Sequence, residues 1–116
     1  MEPLDHIKAD LCAQAEYRLS APVVVNGIAL GSDADDRAKF DALRALISGG
    51  AITVPVTLKD AAGAFHSMTA ADASSVLLSY GSAYYERWVD VETAKAQINS
   101  ATDEVSARAA FSALTI

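Results

Sequence analysis

The most densely charged run of the chain is Asp33, Asp35, Asp36 and Arg37. Neighbouring carboxylates could coordinate a cation, but a calcium loop alternates its oxygen ligands, needs a central glycine and ends on a glutamate. Here Ala34 follows the first aspartate and a helical pattern begins at once. Acids in a first helical turn interact favourably with the helix dipole, so capping is the better interpretation. We assign no metal site, and cation binding by the run 33–36 stays an open question.

The histidines and the cysteine do not form a recognisable catalytic pattern. His6 and His66 are far apart in sequence, and neither belongs to a ligand spacing such as His-Glu-x-x-His. Cys12 has Asp10 and Glu16 nearby, which would raise the pKa of its thiol and weaken it as a nucleophile. Neither a phosphate-binding glycine loop nor a strained Gly-x-Ser-x-Gly turn is found. We therefore expect a protein that is not an enzyme, with no catalytic residues, no cofactor and no metal.

Composition limits the class of protein. The chain has 116 residues, 52% of them apolar, a formal net charge of −6 and one cysteine. We expect one domain over residues 1–116, without a disulfide. The negative charge argues against nucleic acid and anionic membranes as partners. The first ten residues do not resemble a secretory signal, and no run approaches the roughly 18 apolar residues of a membrane span, so we expect no membrane insertion.

Periodicity and turn signals predict an α+β fold. Two small β-hairpins in one antiparallel sheet pack against a long C-terminal helix, with an N-terminal helix and a short helix between the hairpins. The predicted elements are a helix over 3–20, a hairpin over 23–30, a helix over 33–48, a hairpin over 52–67, a long helix over 69–100 and a short helix over 103–114.

Turn and cap residues give this prediction its detail. Asn26-Gly27 favours a type I′ turn that places Val25 opposite Ile28. Ser32 is expected to cap the helix over 33–48, and Thr69 the long helix. In the second hairpin, pairing of Lys59 with Ala64 would turn Phe65 inward and His66 outward.

The long helix carries three of the four tyrosines and the only tryptophan. We expect Tyr80 and Trp88 to be buried, whereas Tyr85 points about 100° away from Tyr84 and is a candidate for partner contact. Gly81 costs about 1 kcal/mol relative to alanine inside a helix, which close packing or a slight bend would explain. Further along, the thinner stripe of Val91, Ala94 and Ile98 is where a partner chain would dock.

A family resemblance rests on an ordered set of segments. These are Val24-Val25-Asn26-Gly27-Ile28, Ser32-Asp33-Ala34-Asp35-Asp36-Arg37, Lys59-Asp60-Ala61-Ala62-Gly63, Met68-Thr69-Ala70-Ala71-Asp72, and a long helix containing Tyr84 and Tyr85. Over about residues 15 to 115, the chain resembles an uncharacterised bacteriophage and prophage domain family that occurs in tail and tail-fibre-associated proteins. The resemblance brings no catalytic residues.

The resemblance implies a virion component of the phage tail, made in the host cytoplasm and working through contacts with other tail or fibre proteins. A homotrimer through the helices 3–20 and 70–99 is a further hypothesis, because fibres are usually trimeric. Two alternatives remain. One is a tail-fibre assembly chaperone that is absent from the mature particle, and the other is an inhibitor of a host protein.

Overall fold

The computed structural model describes residues 3–115; Met1, Glu2 and Ile116, which the single-domain prediction includes, lie outside the described residues. The fold is α+β, as predicted. Its elements are α1 (Pro3–Tyr17) with a 3₁₀ turn (Arg18–Ser20), β1 (Val23–Val25), β2 (Ile28–Leu30), α2 (Ala34–Ser48), β3 (Val56–Lys59), β4 (Phe65–Met68), α3 (Ala70–Ser100) and α4 (Glu104–Ser112). Within this part of the chain, no helix is long and apolar enough to cross a membrane.

The chain divides into two compact units. Ala21–Tyr84 forms the hairpin unit, and the residues up to Ser20 together with those from Tyr85 onward form the helical unit. The long helix α3 contributes its first half to the hairpin unit and its second half to the helical unit. The expectation of one domain over the whole chain stays a prediction.

The first hairpin has the predicted register. Asn26 and Gly27 both have positive φ angles, 51° and 79°, as a type I′ turn requires. Val25 pairs with Ile28 and Val23 with Leu30. The first hairpin therefore turns one apolar face towards the core of its unit.

The N-cap of helix α2 lies one residue later than predicted. Asp33 is the N-cap, and its carboxylate accepts a hydrogen bond of 2.8 Å from the backbone N–H of Asp36. Ser32 is instead buried and donates its hydroxyl to the carbonyl of Ala21 at 2.8 Å. The predicted Ser32 cap is thus wrong, because a carboxylate one position further along takes the free N–H groups. At the other end, the helix stops at Ser48, the predicted boundary, where Gly49 is the C-cap and Gly50 follows with a φ of +77°.

The second hairpin is shorter than predicted, and its register differs by one residue. Lys59 pairs with Phe65 and Leu58 with His66, across a loop of residues 60–64. The carboxylate of Asp60 accepts the backbone N–H groups of Ala62 and Ala64, both at 2.9 Å, and so favours this longer loop. A shift of one residue moves every side chain to the opposite face. The expected burial of Phe65 is therefore wrong, and its side chain is 71% exposed.

The hairpin unit has one apolar core beneath the first half of α3. Its buried members are Val23, Val25, Leu30, Phe40, Val56, Leu58, Ala73, Val76, Leu77 and Tyr80. Thr69 caps α3 as predicted, since its hydroxyl accepts the N–H of Asp72 at 3.1 Å. The strands form two separate two-stranded sheets rather than the single sheet predicted. A backbone hydrogen bond of 2.7 Å from Ala61 to Ala29 connects the hairpins without merging their sheets.

The helical unit packs α1 and α4 with the second half of α3. Leu11, Ile98 and Ala107 form a buried cluster, one residue from each helix. The guanidinium of Arg18 donates to the carbonyl of Leu114 at 3.0 Å and lies 4.6 Å above the ring of Phe111. Ile98, which belongs to the stripe that was expected to receive a partner, is thus buried within this unit.

Candidate functional site

The acidic run serves the start of α2. Asp33 is the cap, and Asp35 and Asp36 lie in the first turn, where the helix dipole favours negative charge. Arg37 points back and donates from Nε to the carbonyl of Ser32 at 3.2 Å. Among residues 3–115, no group of three or more histidine, cysteine or acidic side chains is arranged to hold a metal ion.

Cys12 lies half-buried in the helical unit. Its Sγ is 3.6 Å from Oδ1 of Asn99, and burial raises the pKa of the thiol. Lys95 opposes this shift and Glu92 adds to it, so the direction predicted from Asp10 and Glu16 is confirmed while its cause differs. A raised pKa keeps the sulfur protonated near neutral pH.

His66 forms a contact that the sequence did not indicate. Its Nε2 is 2.8 Å from Oδ2 of Asp60, in the hairpin unit. The hydrogen bond with His66, followed by the N–H groups of Ala64 and Ala62, lowers the pKa of the Asp60 carboxyl. The carboxylate thus organises the loop of the second hairpin. His6, in contrast, is exposed on α1.

The aromatic side chains of α3 separate into buried and exposed groups. Tyr80 is buried as predicted and packs edge-on against Phe40, with ring centroids 5.0 Å apart. Trp88 was expected in the core, but it is 43% exposed. Tyr85 is 63% exposed, consistent with its outward direction on the helix.

The positions expected to receive a partner beyond Tyr85 are not at the surface. Val91 and Ile98 are fully buried and Ala94 nearly so. The thinner apolar stripe faces inward because α1 and α4 supply the covering helices that the prediction assigned to another chain. Of the predicted contact residues, Tyr85 alone lies at the surface.

Tyr85, Trp88 and Val89 form an exposed aromatic patch on α3, within the helical unit. The rings of Tyr85 and Trp88 are stacked, with centroids 6.1 Å apart and planes inclined by 26°. Trp88 and Val89 follow Tyr85 by three and four residues, so both lie next to Tyr85 on the helix surface. Stacking orders both rings before any partner arrives, which reduces the entropy lost on binding.

The hairpin unit contains a groove between α2 and α3. It encloses about 180 Å³. Its lining residues are Arg37, Phe40, Asp41, Arg44, Leu77, Tyr80, Gly81 and Tyr84. The guanidinium of Arg37 stacks 4.5 Å above the ring of Tyr84, and Arg44 pairs with Asp41 at 3.1 Å. Apolar side chains therefore form the floor of this α2/α3 groove, and charged groups form its rim.

Comparison with protein-family models, with curated proteins and with solved structures gave no significant match.

Proposed function

We propose that this chain is a non-enzymatic bacteriophage virion component, associated with the tail or tail fibre, that acts through protein–protein contacts. The observation that carries the contact role is the exposed aromatic patch. Tyrosine and tryptophan dominate the energetics of many interfaces, because their large rigid rings bury much area at low entropic cost. Here two such rings lie ordered and exposed beside Val89 on one helix face.

Much of the patch is open to solvent: Tyr85 is 63% exposed and Trp88 43% exposed. Its two rings contact each other, and such a pair gives about 0.5–1.5 kcal/mol beyond the area it buries. Covering the patch with a partner surface would remove both rings from water, and central aromatic residues of this kind often contribute at least about 2 kcal/mol to binding. A partner surface would therefore bury the area that is still exposed on both rings.

The phage setting of the proposal rests on the resemblance of residues 15 to 115 to the tail-associated domain family. In this setting the chain is made in the host cytoplasm and is carried in the virion. Its partners are other tail or fibre proteins, and it assembles as a homotrimer.

Mass spectrometry of purified particles tests the virion role. We expect the chain in particles from the phage that encodes it, and expect Trp88→Ala particles to lose it while the variant remains in the host lysate. Tyr17→Ala, which removes another exposed tyrosine of the helical unit, is the matched control and should be retained. Absence of the unaltered chain from particles would contradict the proposal and favour the assembly chaperone.

Sedimentation at micromolar concentration tests the homotrimer separately. We expect a trimer for the unaltered chain and for Tyr17→Ala, and dissociation in Trp88→Ala if the patch supports assembly. A monomer throughout the concentration range would contradict self-assembly and leave contact with a different tail protein as the role of the patch.

A further inference from the structure

We propose that the α2/α3 groove binds an acidic segment of a partner protein, with one apolar side chain in the cavity and carboxylates on Arg37 and Arg44. The inference goes beyond the proposed function, because this groove lies in the hairpin unit and contains no residue of the aromatic patch.

The floor of the groove fits a single apolar group. Phe40, Leu77 and Tyr80 are all buried and line the cavity. The Tyr80 hydroxyl already donates to the carbonyl of Gly31 at 2.7 Å, so the ring is fixed and its polar end is satisfied. An engineered apolar cavity of about 150 Å³ holds benzene. A cavity of about 180 Å³ can therefore accept a leucine- or phenylalanine-sized group.

Arg37 is held in position for an anion. Its Nε donates to the carbonyl of Ser32, and its Cζ lies over the ring of Tyr84, 4.5 Å from the centroid. Stacking uses the flat face of a guanidinium, whereas its N–H donors point outward in the plane. The two Nη groups are therefore still able to bind a carboxylate in bidentate fashion, and little rotamer entropy remains to be lost.

Arg44 supplies a second cation on the same face of α2. It is seven residues beyond Arg37, which corresponds to about 10.5 Å along a helix. Its partner Asp41 is well exposed, and exposed ion pairs contribute at most about 1 kcal/mol, so an incoming carboxylate can compete for the guanidinium. Residues three apart in a polyproline II segment are separated by about 9.3 Å. The backbone positions of the two acids in a Glu-x-x-Glu segment, with an apolar residue between them, are thus about as far apart as the backbone positions of the two arginines.

Gly81 gives an independent reason to regard the groove as a site. Glycine within a helix costs about 1 kcal/mol relative to alanine. No neighbouring atom lies within 4 Å of where its Cβ would stand, so close packing, one of the two reasons expected from the sequence, does not explain it, and the other, a slight bend, stays a prediction. Gly81 does line the groove, and any larger residue would project into the mouth. We infer that glycine keeps the groove open.

Charge complementarity selects the acidic occupant. The chain as a whole carries a net charge of −6 and repels acidic segments. Among the residues that line the groove, Arg37 and Arg44 are positive and Asp41 is negative, while Asp36 and Asp33 lie outside the lining but also act on Tyr80 in the floor. A positive rim above an apolar floor fits an acidic segment that also carries an apolar residue.

Two blocked peptides test the proposal by NMR titration of the full chain. The probe is acetyl-Glu-Leu-Ala-Glu-amide, and the matched control is acetyl-Gln-Leu-Ala-Gln-amide. We expect saturable shifts at the amides of Arg37, Arg44 and Tyr84 with the acidic peptide. The affinity for the glutamine peptide should be at least about tenfold lower, and added salt should lower the affinity for the acidic peptide. Equal binding of both peptides, or no saturable shift, would overturn the proposal.

Variants locate the binding. Gly81→Leu should fold with a Tm no lower than that of the unaltered chain and should no longer bind the peptide. Arg44→Gln should weaken peptide binding at least about tenfold. Lys39→Gln removes the same charge from α2 outside the groove and should bind normally. Unchanged binding by Gly81→Leu, or equal losses in Arg44→Gln and Lys39→Gln, would exclude this groove.

Self-association abolished by Gly81→Leu would assign the groove to a second copy of the chain and likewise overturn the proposal. Trp88→Ala should leave the titration unaltered, so failure of the patch and failure of the groove are separable.

Discussion

The hydroxyl of Tyr80 donates a hydrogen bond of 2.7 Å to the backbone carbonyl of Gly31. This bond joins the middle of α3 to the residue that follows β2, within the hairpin unit. Burial of the ring, with Asp36 as the next contributor, raises the pKa of Tyr80 to about 12. The same residue thus packs the core, holds the end of the first hairpin and forms part of the groove floor.

Replacing Tyr80 with phenylalanine should lower the free energy of unfolding by about 1–2 kcal/mol, because the Gly31 carbonyl loses its partner while the ring is kept. Urea denaturation followed by circular dichroism measures the change. Tyr85→Phe removes a hydroxyl from an exposed ring and should change stability by less than about 0.5 kcal/mol. Equal effects of the two variants would show that the bond to Gly31 contributes nothing specific.

Alkaline pH should destabilise the hairpin unit through the same side chain. In the unfolded chain tyrosine titrates near pH 10. The folded pKa of Tyr80 is raised to about 12. The contribution of this shift to the free energy of unfolding is therefore fully present below about pH 10 and is lost as the pH rises through about 12. The free energy of unfolding measured across this window should fall less steeply in Tyr80→Phe. An identical slope in both proteins would contradict the assignment.

Acid should weaken the second hairpin through Asp60. The pKa of Asp60 is lowered in the folded state, chiefly by the hydrogen bond with His66. Its contribution to the free energy of unfolding is therefore present above the unfolded pKa of about 3.9 and is lost as the pH falls through the folded pKa. Carbon-detected NMR titration should place the Asp60 carboxyl below about 3.9. His66→Gln should raise that pKa towards the ordinary value, and a carboxyl that titrates identically in both proteins would exclude His66 as the cause.

Local chemistry made much of the fold predictable. The Asn26-Gly27 turn, the Thr69 cap and the Gly49-Gly50 stop each follow from the backbone angles or hydrogen bonds that one or two residues favour. The predicted register of the second hairpin was wrong because the Asp60 carboxylate determines the loop length, and a two-residue turn signal is lacking there.

The candidate sites were harder to predict, because periodicity reports which residues share a face and not what covers that face. Val91 and Ile98 form a stripe that could suit either a partner or the chain's own helices, and only the placement of α1 and α4 decides. Trp88 was assigned to the core because it continues the helical spacing of Tyr80 and Tyr84, which does not show what lies above it. The groove depends on the side-by-side packing of α2 and α3. The sequence therefore does not indicate that Arg37 and Gly81 line the same groove.

Gly81→Ala should raise the free energy of unfolding by about 0.5–1 kcal/mol, because alanine restricts the unfolded chain and meets no neighbour in the folded helix. Gly27→Ala is the matched control. Its Cβ would also meet nothing within 4 Å, but its φ of +79° disfavours any side chain, so a loss of about 1–2 kcal/mol is expected. Thermal and urea denaturation measure both changes. Destabilisation by Gly81→Ala would mean that the helix needs glycine for its backbone and would remove the argument that this residue keeps the groove open.

Ile98→Ala should destabilise the helical unit by about 2–5 kcal/mol, because the side chain is fully buried with Leu11 and Ala107 and its removal leaves a cavity. Trp88 is the only tryptophan and lies in this unit, so its fluorescence during urea denaturation reports the transition directly. Val105→Ala shortens an exposed apolar side chain of the same unit and should lose no more than about 0.5 kcal/mol. A small effect of Ile98→Ala on the isolated chain, accompanied by a large loss of assembly, would instead restore Ile98 as a partner contact and contradict its place in the core.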